Sequence, residues 1–541
     1  MTFRTALGKI IMIALTFLVF SARPASAQSP GDPPPPPAER IHRIENGLPP
    51  IKISDTDPPL QLSLANLMEM YKVPGLSIAV IDNYKIAWAK AYGVTEAGAT
   101  TPVTPRTLFM AGSIAKTPTA AAALYLVQHG KLSLDQNVNE QLKSWKVPEN
   151  NFTAQQKVTL RRILSHTAGT TVHGFPGYES GDTLPTLVQI LNGEDPANSP
   201  AVRVIHIPGT EWNYSGGGVL IEQQLMIDVT GKPFTQLMRE ILFDKIGMQD
   251  STYQQPLPAD RAAHAASGTY STGFTVEGKW HIYPEMAAGG LWTTPSDLAR
   301  FAIEVALSKH GKSNRVLSQS TAQEMLKPQF DPVKQIALGD AQHPDRMGLG
   351  FFLGDATRPD LFGHIGDDEG FQAMLVMFAD SGQGAVIMAN SENGILFGDF
   401  LIAQIAKEYG WKNYLPPNRP EIGSGSALRL VAREKGIPAA IEVFRRMKKE
   451  NARPYTVNQE TLISLAYELY TGHKVQDAIA ILDVEIHEFP QYWNAYDSLG
   501  ELYADTGDTQ RAIQNYEKSV QLKPDNQGGI AALKKLKSLN K

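Results

Sequence analysis

At 541 residues the chain is too long for a single core, and two or three domains are expected. With 42% hydrophobic and 19% charged residues and a mean hydropathy of −0.22, it is neither a largely disordered chain nor a polytopic membrane protein. A formal charge of −5 gives no support to nucleic-acid binding, and the absence of cysteine excludes disulfides, thiolate chemistry and a lipoprotein anchor.

Arg4 and Lys9, the apolar run Ile10–Phe20 and the small residues Ala25-Ser26-Ala27 together predict a signal peptide over residues 1–27. The run is too short for a comfortable membrane span, so no stable span is expected after cleavage. Cleavage removes Arg4, Lys9 and Arg23 and no acid, which takes the formal charge from −5 to −8. Pro33–Pro37 then predicts a polyproline II spacer within a Pro-rich linker over 28–45. Leader and tether point to a bacterial protein that is periplasmic or secreted.

From about residue 60 to 411 strands and helices mix. Gly75–Ile81 and Lys85–Val94 predict a hairpin turning at Asp82-Asn83, and Gln372–Ala379 with Ala385–Asn390 predicts a second around Asp380-Ser381-Gly382. An Ala-rich helix follows Lys116 and is stopped by Gly130, and Thr294-Pro295-Ser296-Asp297 opens another with a capping hydroxyl and Pro at its first position. Strands at both ends with helices between predict an α+β fold: one antiparallel sheet built from both ends, flanked by helices, with a helical insertion.

From residue 424 to 541 the pattern is helix only, with a period of 34 residues. Leu465, Ala466, Ala478, Leu482 and Pro490 recur as Leu499, Gly500, Ala512, Tyr516 and Pro524. This resembles the tetratricopeptide repeat, in which small residues let paired helices pack closely and proline ends the second helix. A degenerate earlier unit around Ala440 and Phe444 and a capping helix over Gly529–Leu539 complete the expected all-α domain. Such an array either packs on the preceding domain or forms a groove for a protein partner; the sequence leaves both open.

Chemistry is concentrated at Ser113-Ile114-Ala115-Lys116. Positions i and i+3 share a helix face, so the lysine amine meets the serine hydroxyl, which needs a base to act as a nucleophile at neutral pH. The bare pattern is weak, since about two copies arise by chance in a chain of this length at ordinary Ser and Lys frequencies, and Ser538-Leu539-Asn540-Lys541 is one such accident. Its companions raise its weight. Tyr214-Ser215-Gly216 supplies a tyrosine that would share or relay the serine proton if nearby positive charge lowered its pKa. His364-Ile365-Gly366, followed by Asp367, lies at a strand edge whose backbone N–H, paired with that of Ser113, would hold an oxyanion.

With Leu164–Gly169, Ala288–Thr294 and Asp297-Leu298-Ala299, these motifs make residues 60–411 resemble the class C β-lactamase-like serine hydrolases, among them DD-carboxypeptidases, D-aminopeptidases and esterases. The resemblance implies a β-lactamase-like fold and an acyl-enzyme mechanism in which Ser113 attacks an ester, amide or lactam carbonyl. Lys116 and Tyr214 would handle protons, with His364, Gly366, Asp367 and Gly216 around the substrate and its oxyanion. Two departures favour an esterase or D-amino-acid peptidase over a strong β-lactamase. Gly216 stands where the family often has Asn and offers only its N–H, and His364 stands where the family often has a lysine suited to a carboxylate. His166 is assigned to structure, through capping and packing. No His-Glu-x-x-His, dinucleotide or P-loop pattern occurs, so no metal or cofactor is expected, and the partner is a small-molecule or peptide substrate. The alternative is a penicillin-binding or catalytically silent domain whose repeats scaffold partner proteins.

Overall fold

The structure, a computed structural model, describes residues 37–51, 60–330, 346–412, 414, 424–450, 457–459, 461–471 and 474–539. The expected signal peptide and the first part of the linker lie outside the described residues. The rest of the expected linker is not a spacer. Residues Pro37–Asn46 form helix α1, which buries Ile44 against the main body and directs Arg43 Nε to Glu408 at 2.7 Å. Proline is tolerated there because the first turn has no intrahelical N–H bond to lose.

Strands β1 (Leu48–Ile51) and β2 (Leu60–Leu62) form a small ribbon, and helix α2 (Leu64–Met70) follows behind a Ser63 capping box. Among the described residues the main sheet runs β4-β3-β11-β10-β9-β8-β7 and is antiparallel throughout. Its strands are β3 (Gly75–Asp82), β4 (Lys85–Gly93), β7 (Arg346–Met347), β8 (Phe352–Leu353), β9 (Leu361–Asp368), β10 (Phe371–Phe378) and β11 (Gln383–Ala389). A third ribbon pairs β5 (Phe109–Met110) with β6 (Trp292–Thr293). Both ends of the domain therefore build one sheet, with helices inserted between, as expected. The first hairpin turns at Asn83-Tyr84, one residue later than expected, both residues adopting left-handed φ.

Strand alternation splits the interior into two cores. Leu76, Ile78 and Val80 of β3 face one side, and Ala79 and Ile81 face the other. The Ala79 side packs α3 (Lys116–Gln128), α4 (Gly216–Thr230) and α5 (Pro295–Lys309), together with Ile114 and Ala115. Helix α3 is buried on nearly every face, which explains its Ala-rich, non-amphipathic sequence. Pro118 falls in its first turn and breaks no helical bond, and the chain enters the helix through a 3-10 turn over Gly112–Ala115. Helix α5 opens as expected, with the Thr294 hydroxyl accepting from the Asp297 N–H.

The Leu76 side packs α1, α2 and α6 (Gly394–Tyr409) and continues into the C-terminal helices. These are α7 (Ser424–Lys435), α8 (Ile437–Glu450), α9 (Ile463–Thr471), α10 (Val475–Glu488), α11 (Trp493–Asp505), α12 (Thr509–Leu522) and α13 (Gln527–Leu539), packed in successive pairs. Leu465, Ala466, Ala478, Leu482, Leu499 and Ala512 are all buried, and a Cβ at Gly500 would meet the Tyr516 ring at 2.9 Å. Helix α7 rests on α2, where Arg433 also pairs with Glu69. The helical region thus sits behind the sheet, on the face away from Ser113. No helix among the described residues is long and apolar enough to cross a membrane.

Candidate active site

Ser113 is held by a backbone contact that only glycine permits. Gly112 has φ +52, and a Cβ there would collide with the Asp367 nitrogen of β9. A Cβ at Gly366 would collide with the Ala111 carbonyl. The strand therefore lies directly against the nucleophile turn. The β9–β10 hairpin closes at the pair Asp368–Phe371, so Asp367 directs its N–H away from β10. Among the described residues β8 pairs on β9 with Phe362 and Gly363 alone, which leaves the rest of that edge unpaired beside Ser113.

Lys116 Nζ lies 2.8 Å from Ser113 Oγ and 2.6 Å from the Ala288 carbonyl. Its side chain is buried, and burial pulls the amine down to about 7 against the opposing pull of Asp368 and Glu222. The loop carrying Ala288 is tied to α4 by the Ala287 N–H, which donates to Gln223 Oε1 at 2.9 Å.

Tyr214 has Ser113 as a hydrogen-bonding neighbour and Lys116 Nζ 5.3 Å from its ring centroid. The expected lowering of its pKa does not occur. Burial pushes the phenol up, Asp368 adds to this, and Ser113 only partly offsets them, so the hydroxyl keeps its proton at neutral pH. Its ring packs on His166 and His173 at centroid distances of 4.3 and 4.9 Å. His166, at φ +54, grips the same segment twice: its carbonyl accepts the Asn213 N–H at 2.8 Å and its Nδ1 accepts the Ser215 N–H at 3.2 Å. It braces Tyr214 by packing and hydrogen bonding, not by capping a helix. Ser215 caps α4 by accepting from the Gly218 N–H.

Three expected substrate contacts change. Gly216 gives its N–H to the His173 carbonyl at 3.0 Å, and Phe175 fills the space beyond it, so it has no donor left for a substrate. The Asp367 carboxylate is exposed and accepts from Gln372 Nε2 at 2.9 Å, so only its backbone N–H faces the nucleophile. His364 is buried beside Phe352 with its Nδ1 2.6 Å from the Ile365 carbonyl. That contact makes Nδ1 the protonated nitrogen and leaves Nε2 sealed without a partner. Burial, helped by the Lys116 charge, lowers the imidazole to about 3, and it is neutral at pH 7.

Sequence reasoning missed two acids around Lys116, Glu222 of α4 and Asp368 at the end of β9, and a third, Glu285 in the loop before Ala288, which acts on Asp368. Burial pushes the carboxyls of Glu222 and Asp368 well up, and the Lys116 charge pulls both back; burial takes Glu285 to about 7. Glu222 had a readable signal, being the sole charged residue between Glu211 and Asp228. Asp368 and Glu285 had none, because only the tertiary fold brings Asp368 near the lysine and Glu285 near Asp368.

The sequence profile of the Beta-lactamase family matches residues 61–409. A beta-lactamase of Pseudomonas fluorescens is 28% identical over 260 residues, covering 47% of this chain and 66% of the relative's length. Penicillin-binding protein 4 of Amycolatopsis lactamdurans is 26% identical over 366 residues, covering 65% of this chain and 90% of that one. Among solved structures, an octameric penicillin-binding protein homologue from Pyrococcus abyssi superposes with a TM-score of 0.53 at 22% identity, covering 64% of this chain and 76% of that chain. A beta-lactamase/D-alanine carboxypeptidase from Yersinia pestis gives 0.51 at 20% identity, covering 64% and 95%. These likenesses establish the fold, and the profile match over most of the length establishes the family: the chain belongs to the Beta-lactamase family of serine hydrolases.

Proposed function

We propose that the chain is an exported serine hydrolase that acts through a Ser113 acyl-enzyme on ester, amide or lactam carbonyls, with esters or D-amino-acid peptides preferred over β-lactams. The observation that carries the reading is the 2.8 Å contact between Ser113 Oγ and a buried lysine amine whose pKa is about 7. A near-neutral amine is a free base half the time at physiological pH and is strong enough to take a serine proton. Ser113 Oγ attacks the carbonyl carbon while its proton passes to Lys116 Nζ. The oxyanion is taken by the N–H groups of Ser113 and Asp367. The protonated Tyr214 hydroxyl gives its proton to the leaving group and regains one from Lys116. Water then repeats the sequence on the Ser113 ester.

The substrate preference rests on charge. A β-lactam or a peptide C-terminus brings a carboxylate, and the third motif offers it no fixed cation: His364 is buried and neutral, and the acids Asp367 and Asp368 follow it on the same strand. Uncharged esters, and acyl groups bearing an amine, suit that surface better. The paired helices after Ser424 are read as tetratricopeptide repeats, supported by the buried small residues at matched positions. Placed behind the sheet, they would dock a partner protein without shaping the acyl site.

The test is a panel of short-chain nitrophenyl esters, D-amino-acid peptides and a chromogenic cephalosporin, run on wild type and Ser113→Ala. Esters or D-peptides should turn over faster than the cephalosporin, and the Ser113→Ala variant should turn over none. A faster cephalosporin would contradict the preference, and turnover surviving in the variant would contradict the mechanism.

A further inference from the structure

Asp368 has no part in the acylation steps above, yet it lies beside both the nucleophile turn and the loop whose carbonyl holds Lys116. It is the last residue of β9, the strand laid against the nucleophile turn. Burial raises its carboxyl well above the ordinary range, the Lys116 charge pulls it back, and the Gly112 N–H, immediately before Ser113, points at it and adds to that pull. Its Oδ1 lies 3.0 Å from where a Cβ on Gly289 would stand, and Gly289 follows the residue whose carbonyl holds Lys116 Nζ. Its Oδ2 is shut off from solvent with no hydrogen-bond partner. An unpartnered carboxylate oxygen is costly unless a nearby cation balances it. The cation on hand is Lys116, which becomes an ammonium each time it takes the serine proton.

We propose that Asp368 is a positioning residue for acyl transfer: it anchors the Gly112–Ser113 turn to β9 and is the counter-charge to the Lys116 ammonium. The proposal rests on Ser113 being the nucleophile. Other charges around the pair come from every packed element. Glu222 faces Lys116 from α4, and the imidazoles of His166, His173 and His364 feel the same ammonium. Asp367, Glu285 and Tyr283 surround Asp368. Burial drives the lysine toward the neutral form and Asp368 opposes it, so removing the carboxylate alone moves Lys116 lower and makes it a weaker base.

The two roles separate by substitution. Asp368→Asn keeps an oxygen to accept the Gly112 N–H but loses the charge, Asp368→Ala loses both, and Asp368→Glu keeps the charge. The measurement is the rate of Ser113 labelling by a fluorophosphonate from about pH 5 to about pH 9, since this probe has no ionising group of its own. For Asp368→Asn the acid limb should move down by about one pH unit and the plateau fall about tenfold. For Asp368→Ala the rate should fall about a hundredfold at every pH. Asp368→Glu should keep the acid limb where wild type has it. A lowered plateau with an unmoved limb in Asp368→Asn would overturn the counter-charge role, as would a limb displaced in Asp368→Glu. An Asp368→Ala rate equal to that of Asp368→Asn would overturn the anchoring role. Wild type failing to label at Ser113 would instead remove the serine-hydrolase reading on which the proposal stands.

Discussion

Lys116 can serve as a base because it is a lysine without water. Burial lowers its amine to about 7, close enough to ambient pH for it both to accept and to return a proton. The sign of the pH dependence follows. The base must be neutral, so deacylation of a Ser113 ester should slow as pH falls through about 7, and Lys116→Met should lose about 10²–10⁴-fold on the plateau above that pH and less below it; steady-state ester turnover across pH measures both. Glu285 carries the opposite kind of shift. Its carboxyl is raised from 4.5 to about 7 by burial, so the folded state holds a proton that the unfolded state releases. Its contribution to stability is full below about 4.5 and is lost as pH rises to about 7. Glu285→Gln removes this dependence and should gain on wild type by on the order of 3 kcal/mol across that window, read by urea unfolding at each pH. At this scale the sequence was legible wherever chemistry is local. Ser113 and Lys116 are one helical turn apart, and their contact follows from spacing alone. Gly216 was misread because its N–H partner, His173, comes from a distant loop, and Asp368 was missed because only the fold brings β9 against the nucleophile turn.

Among the elements, β9 governs the site. Gly366 and Gly112 let two backbones touch, and the oxyanion-facing N–H of Asp367 exists only at that separation. Gly366→Ala should push the strand from the turn, destabilising the fold by about 1–3 kcal/mol and slowing acylation more than it weakens substrate binding. Thermal unfolding together with separate kcat and KM values tests this. At the start of α4, Gly216→Asn restores the residue common in the family, but its Cβ would stand 3.0 Å from the Phe175 ring and 3.1 Å from the His173 carbonyl, closer than ordinary van der Waals contact. That variant should lose about 1–3 kcal/mol and gain no cephalosporin hydrolysis. A gain would show that the loop over His173–Phe175 yields easily. Hairpins and helix starts were readable because turn residues and caps act locally, as Thr294-Pro295 shows. The helix over Pro37–Asn46 was hidden by the prolines before it, and what fixes it is the burial of Ile44, a tertiary fact.

For the whole molecule, the sheet separates two tasks. Nucleophile, base and tyrosine lie with the core containing α3 and α4, while α1, α2, α6 and the C-terminal helix pairs share the other. The 34-residue period was plain in the sequence, but its seat behind the sheet was not, since it depends on α7 meeting α2. Deleting residues 424–541 should expose apolar surface on α2 and lower Tm while leaving kcat for ester turnover unchanged; a lost kcat would mean that the helices act on the site through the sheet. In the full chain, every part of the functional account converges on one covalent bond. The most direct measurement is peptide mapping by mass spectrometry after exposure to a fluorophosphonate or a slowly deacylated ester. A single adduct on Ser113, forming faster as pH rises through about 7 and absent from Ser113→Ala, is the expected result. An adduct on another residue, or none at any pH, would contradict the account.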